Sequence, residues 1–190
     1  KSHRGECPLC FLPMPLRAQK FGLWPCCCKL ACDGCIFASI QNNGGDIIRC
    51  PFCRESAADE EENNKRMMKR ITANDPAAMR EMGADRYNEG NWDSSFEYWT
   101  KAAELGDEIA HYRLGSMHMK GEGVEEDEEK AVYHWEKAAI GGHPFARHNL
   151  GCVEGENGNV ERAAKHFIIA ANLGWDESMK QLWLMFKHGN

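Results

Sequence analysis

The chain has 190 residues, 43% of them hydrophobic and 27% charged, with a formal net charge of −6. That composition is ordinary for a soluble protein and leaves room for one or two domains. No run of eighteen apolar residues occurs, so no membrane-spanning helix is expected. The first residue is Lys1 rather than Met, so the sequence does not decide whether a signal or transit peptide precedes it.

Charge and cysteine are both unevenly spread. The stretch up to Arg54 carries +4 and the remainder −10. An acidic C-terminal part is a poor nucleic-acid surface. Nine of the ten cysteines lie between Cys7 and Cys53, and only Cys152 lies outside. Three pairs, Cys7/Cys10, Cys32/Cys35 and Cys50/Cys53, each enclose two residues. A C-x-x-C turn points both sulfurs at one ion, and its repetition favours zinc over a disulfide framework. A redox role is weaker, because zinc would occupy the thiols of every pair.

The remaining three thiols, Cys26, Cys27 and Cys28, stand side by side. Structural zinc takes four thiolates, so nine cysteines supply two sites with one left over. Spacing alone permits two topologies. Sequential fingers would join Cys7 and Cys10 with two of the triplet, and Cys32 and Cys35 with Cys50 and Cys53. An interleaved module would join Cys7 and Cys10 with Cys32 and Cys35, and the triplet with Cys50 and Cys53. Within the triplet, Cys26-x-Cys28 has favourable geometry because alternate side chains can converge.

The segments "CPLC", "PCCCKLACDGC" and "CPFCR" resemble a RING finger of the all-cysteine type over residues 5–56. That resemblance implies interleaved sites and two Zn²⁺ ions. Site one is then Cys7, Cys10, Cys32 and Cys35. Site two is Cys50 and Cys53 with two of the triplet. Lys29 falls where many RING fingers place a histidine ligand, so the triplet itself must supply the missing ligand. The whole chain also resembles the RING-plus-Sel1 proteins of diatoms and other stramenopiles. Those commonly read Cys-Cys-Gly-Lys here, which implies Cys26 and Cys27 as ligands and Cys28 as the spare. The resemblance further implies a surface for a ubiquitin-conjugating enzyme at Leu9, at Ile36 to Ile40 and at Pro51 and Phe52. Arg54, just after the last ligand, would steady the donor ubiquitin. The plainer alternative is that Leu9, Pro51 and Phe52 only cover the zinc sites and Arg54 is an ordinary surface charge. No residue of the chain is expected to be catalytic in the covalent sense.

Residues 57–75 form a linker that runs from acidic to basic, which suits the helix dipole. An exposed, partly helical linker is expected there. From residue 76 the sequence repeats. Ala102, Ala138 and Ala170 open equivalent Ala-Ala pairs at steps of 36 and 32, and Gly83, Gly115 and Gly151 alternate with them at 32 and 36. Two apolar-periodic stretches per unit of this length predict stacked helical hairpins. Ala131, Trp135, Ala138 and Ala139 share one helix face, as do Ala110, Leu114 and Gly115. Trp99 and Trp135 are expected in the core, and Asp127 is expected to cap a helix. The stretch from Leu114 to Ala146 is similar to a Sel1-like repeat, a relative of the tetratricopeptide repeat. About three and a half copies cover residues 76–190. That resemblance implies a helical superhelix whose inner surface binds other proteins.

The expected architecture is a small zinc-stabilised α+β RING-like module followed by an all-α Sel1-like solenoid. The expected function is that of a RING-type E3 ubiquitin ligase component, with an unidentified protein partner or substrate held by the repeats. The alternative is a non-catalytic scaffold in which both halves only bind proteins. The expected location is intracellular, cytoplasmic or nuclear. The repeat histidines His111, His118, His134, His143, His148 and His166 form no His-Glu-x-x-His metal motif and read as solvated or packing groups. Cys152 reads as a small buried hydrophobe.

Overall fold

The computed structural model describes residues 5–14, 21–42, 49–56 and 59–187, without the side chains of Phe21 and Glu60. Ala57 and Ala58 of the expected linker, and the charges of Lys1, Arg4, Arg17, Lys20 and Asp46, lie outside the described residues. The chain divides into two compact units, Ser2–Ala78 and Met79–Asn190. None of the described helices is long and apolar enough to cross a membrane.

The first unit is built on one hairpin. Strand β1 (Phe21–Trp24) pairs antiparallel with β2 (Lys29–Cys32), with Trp24 opposite Lys29 and Phe21 opposite Cys32. Helix α1 (Asp33–Asn42) follows directly, with Asp33 in its first turn where the dipole favours an acid. Either side of the hairpin lie two short turns of the same design. Phe11 N–H donates to Cys7 O at 2.8 Å, and Cys7 N–H to Leu12 O at 2.8 Å. Likewise Arg54 N–H donates to Cys50 O at 2.9 Å, and Cys50 N–H to Glu55 O at 2.8 Å. The chain can reverse this tightly because Phe11 and Arg54 take left-handed backbone angles, φ 59° and 62°. Cys7, Met14 and Ala31 are buried as a small core beneath these turns.

Helix α2 (Glu60–Thr72) starts on Asp59, whose carboxylate accepts from Glu62 N–H at 2.8 Å. The linker is therefore helical, but it is not solvated all round. Met67 is only 7% exposed, and the Cys28 thiol lies 3.9 Å from its sulfur. Arg66 reaches back to the Ser56 carbonyl at 3.2 Å and the Glu55 carboxylate at 3.7 Å. The polar sequence of α2 hides this, because Met67 is its one deeply buried apolar residue.

The second unit is a run of antiparallel helices: α3 (Pro76–Asn88), α4 (Trp92–Glu104), α5 (Glu108–Lys120), α6 (Glu128–Ile140), α7 (Pro144–Glu156), α8 (Val160–Asn172) and α9 (Asp176–Lys187). Polar residues set where they start. Asn91, Asp107, Asp127 and His143 each accept a hydrogen bond from the third residue of the helix they open. Gly121, at φ 67°, stops α5. The longer loop that follows accounts for the 36-residue step. Within each hairpin one helix presents glycine and the other an aromatic ring. A Cβ on Gly83 or Gly115 would stand 2.5 Å from the indole of Trp99 or Trp135, and one on Gly151 would stand 2.7 Å from the ring of Phe167. Trp99 and Trp135 are 1% and 4% exposed. Burying each ring this way stabilises the fold by on the order of 2–3 kcal/mol.

Helix α9 departs from this rule. Ala78, Ala110 and Ala146 are fully buried, and Ser178 is their equivalent, also fully buried. Five residues further on stand Gly83, Gly115 and Gly151, but in α9 that place holds Trp183, which is largely exposed. A following helix could not seat its ring against α9 as the others do.

Candidate functional site

The hairpin distributes the cysteines between two groups. Its turn carries Cys26 and Cys27, and Cys27 and Cys28 N–H both donate to Trp24 O. The end of β2 carries Cys32, and the first turn of α1 carries Cys35. The turn on Cys7 and Cys10 meets Cys32 and Cys35, while the turn on Cys50 and Cys53 meets Cys26 and Cys27. The sulfurs of each group all lie within 4.8 Å of one another.

The separations within each group suit a metal better than any alternative. Cys10 and Cys32 sulfurs are 3.8 Å apart, Cys27 and Cys50 3.6 Å, and Cys26 and Cys53 3.3 Å. A disulfide needs about 2.0 Å, and all ten cysteines are free thiols. Four sulfurs held 2.3 Å from a central zinc would stand about 3.8 Å apart. Electrostatics points the same way. Burial and the neighbouring thiols of Cys10, Cys32 and Cys7 push Cys35 up to about 12. Burial pushes Cys27 up to about 11, with Cys50 adding to it. Cys26 rises further, through burial and the thiols of Cys53 and Cys50. Burial also opposes ionisation of Cys7, but N–H groups of Cys32, Leu9 and Cys10 outweigh it and hold that thiol at about 6. Four thiols this close resist ionising together, and a dication among them reverses that resistance. The donor set therefore fits two tetrahedral thiolate sites.

Cys28 is in neither group. It is buried, at φ 50°, in the left-handed region that glycine occupies most easily. Its sulfur lies 3.9 Å from that of Met67.

The residues expected to dock a conjugating enzyme fall on this framework unevenly. Leu9, Ile36 and Phe52 are half-buried and pack on the Cys7, Met14 and Ala31 core. Pro51 is half-buried and Arg54 exposed. The Lys29 ammonium lies 5.4 Å from the Phe52 ring centre. Among the described residues of this unit, Phe11, Leu12 and Phe37 are the most exposed large apolar side chains, with Met68 of α2 less so. Phe37 lies inside the expected 36–40 segment. Phe11 and Leu12 were not singled out, and their only sequence signal is two consecutive apolar residues just after a ligand.

In the second unit the histidines are built into the packing. His143 caps α7, is 2% exposed and stacks on Tyr112 at 4.4 Å. His148 Nδ1 and Ser178 Oγ are 2.9 Å apart, and His111 Nδ1 and His134 Nδ1 3.0 Å. Cys152 is half-buried, its sulfur 3.7 Å from His148 Nε2.

An array of helical hairpins locked by small residue against ring defines a helical-repeat protein, and known proteins identify which kind. The Sel1 repeat family model matches residues 76–107, 109–143 and 144–175, more than half of the chain. The chain belongs to the Sel1 repeat family. It is 34% identical over 112 residues to Protein sel-1 homolog 2 of Rattus norvegicus, covering 54% of this chain and 16% of that protein. It is 29% identical over 92 residues to Chitin synthase regulatory factor 4 of Schizosaccharomyces pombe, covering 48% of this chain and 14% of that protein. The chain thus spans about a sixth of these curated relatives. Among solved structures it is similar to a Sel1 repeat protein from Oxalobacter formigenes, with TM-score 0.61, 28% identity, and coverage of 68% of this chain and 56% of that one. Sel1 repeats of this kind form a protein–protein interaction surface.

Proposed function

We propose that the N-terminal unit is a double-zinc, RING-type module that recruits a ubiquitin-conjugating enzyme, and that the repeats hold the protein to be modified. The observation that carries this is the interleaving of the two four-thiol groups, in which Cys7 and Cys10 converge with Cys32 and Cys35, and Cys26 and Cys27 with Cys50 and Cys53. Zinc there would supply shape alone, because four thiolates leave no open position for water. The protein would then act by proximity, holding a thioester made elsewhere beside its target. Leu9, Ile36, Pro51 and Phe52, with the exposed Phe37, would form the docking patch. Arg54, exposed and fixed by its N–H bond to Cys50 O, would bridge to ubiquitin. Free thiols in this number suit a reducing compartment, cytoplasm or nucleus.

A second reading, a scaffold without conjugating-enzyme contact, draws on the same core. Leu9, Ile36 and Phe52 already cover Cys7, Met14 and Ala31. The two readings separate in a reconstituted reaction of the full chain with activating enzyme, a panel of conjugating enzymes and ubiquitin. Ubiquitin chains should form, and Leu9→Ala and Phe52→Ala should slow them at least about tenfold. No chains with any enzyme, and no NMR shift near Leu9 and Phe52 on titration, leaves the scaffold.

A further inference from the structure

The repeats form a half-open cavity of about 380 Å³, within the range of specific ligand sites. Tyr112 and Arg113 of α5 and Asn149 and Cys152 of α7 line it, with the rings of Trp99 and Trp135 from the second helices. Arg113 and Asn149 are equivalent positions of adjacent repeats, each two residues before the packing glycine, Gly115 or Gly151. The repeat period thus aims successive polar side chains into one space.

Arg113 supplies a cation to this cavity. Among the described residues it makes no ion pair and no hydrogen bond. It is exposed, and two rings flank it. The guanidinium carbon lies 5.8 Å from the Trp99 ring centre and 6.0 Å from that of Tyr112. Contact with two ring faces holds the fork while leaving its N–H edge free for a bidentate acceptor. Asn149 also has no hydrogen-bond partner among the described residues. The nearby acid Glu122 is already occupied. Tyr87 OH donates to it at 2.7 Å and Lys120 lies 3.6 Å away. Glu156, at the rim, is the one lining carboxylate without a described ion pair.

We propose that this cavity is a docking site for an extended segment of a protein partner that carries an Asp or Glu side chain. The carboxylate seats on Arg113 between Trp99 and Tyr112, and Asn149 pairs with the segment's main chain. A guanidinium already held by two rings loses little freedom on binding, and a half-enclosed site strengthens the charge-assisted bonds. The second unit is acidic overall, so recognition depends on this one short-range contact and not on the surrounding field. The inference rests on the repeats being a protein-docking surface and is independent of any role for the cysteine groups.

The test uses the labelled full-length chain on an array of C-terminally amidated peptides. Each position beside a Leu or Phe anchor is scanned through Asp, Glu, Asn, Gln, Lys and Arg. Peptides with Asp or Glu should bind at least about tenfold more tightly than their Asn or Gln counterparts. Arg113→Ala should abolish that preference and Arg113→Lys should keep part of it, while Lys165→Ala, an exposed cation outside the cavity lining, leaves it intact. Binding with no acidic preference, with a preference for Lys or Arg, or with an acidic preference that survives Arg113→Ala overturns the proposal while sparing the docking role of the repeats. No binding to any peptide overturns both.

Discussion

The indole of Trp135 lies directly on the Cα of Gly115, so close that a methyl group there would stand 2.5 Å from Cδ1 and 2.6 Å from Nε1. The same relation joins Gly83 to Trp99 and Gly151 to Phe167. These contacts set the distance between the two helices of each hairpin, so the repeat's geometry is written in one small and one large residue.

Gly115→Ala should therefore destabilise the protein by about 1–3 kcal/mol through overpacking, although alanine is the better helix former by up to about 1 kcal/mol. Gly155 is the control. A Cβ there meets only Ala163 at an ordinary 3.8 Å, so Gly155→Ala should be neutral or stabilising. Urea unfolding of both variants, followed by tryptophan fluorescence, checks the pair. Equal midpoints for Gly115→Ala and the unaltered chain would remove glycine from the argument.

Much of the second unit was legible in the sequence because its contacts repeat. The Ala-Ala pairs lie in α4, α6 and α8, the alternating glycines in α3, α5 and α7, and Asp127 caps α6. The cysteine groups were less legible. Spacing alone admits two topologies, since which pairs converge is set by the hairpin and not by the intervals. What stayed hidden depends on pairs far apart in sequence. Cys28 and Met67 are separated by 39 residues, and nothing local marks either as the other's neighbour. The Arg113 cavity depends on side chains from separate repeats coming together. Trp183 was countable, five residues beyond Ser178, but only once the buried register was known.

The metal prediction follows from the four-sulfur groups. Native mass spectrometry of the full chain should find two zinc ions. Cys26→Ser and Cys27→Ser should each leave one tightly held ion, while Cys28→Ser should keep both. Loss of an ion on removing Cys28 would contradict its position outside both groups.

The contact between Cys28 and Met67 should hold α2 chiefly through the methionine. Met67→Ala removes the one deeply buried apolar side chain of that helix and should cost about 2 kcal/mol or more. Cys28→Gly loses the sulfur contact but relieves a left-handed backbone, worth about 1–2 kcal/mol, so it should be much milder. Hydrogen exchange across residues 60–72 reads both. Faster exchange in Met67→Ala with little change in Cys28→Gly is expected, and the reverse order would assign the anchoring to the cysteine.

Acid should loosen the second unit through His134. Burial, with the charges of His111 and His118 beside it, pushes this imidazole down to about 4 from its ordinary 6.5. His111 is also lowered, by burial and then Lys137, with Asp107 opposing. The two Nδ1 atoms, 3.0 Å apart, can share one proton but cannot both carry one. The folded state thus refuses a proton that the unfolded chain accepts below about 6.5. Stability from this group is fully present above that value and is lost progressively as pH falls towards 4. His134→Gln removes the group and should flatten the dependence. Its midpoint should fall less than the unaltered chain's between pH 7.5 and 5, by a difference on the order of a few °C. Thermal melts of both proteins at the two pH values isolate the effect from any acid release of metal, which is common to both. Parallel pH profiles would show that His134 does not carry it.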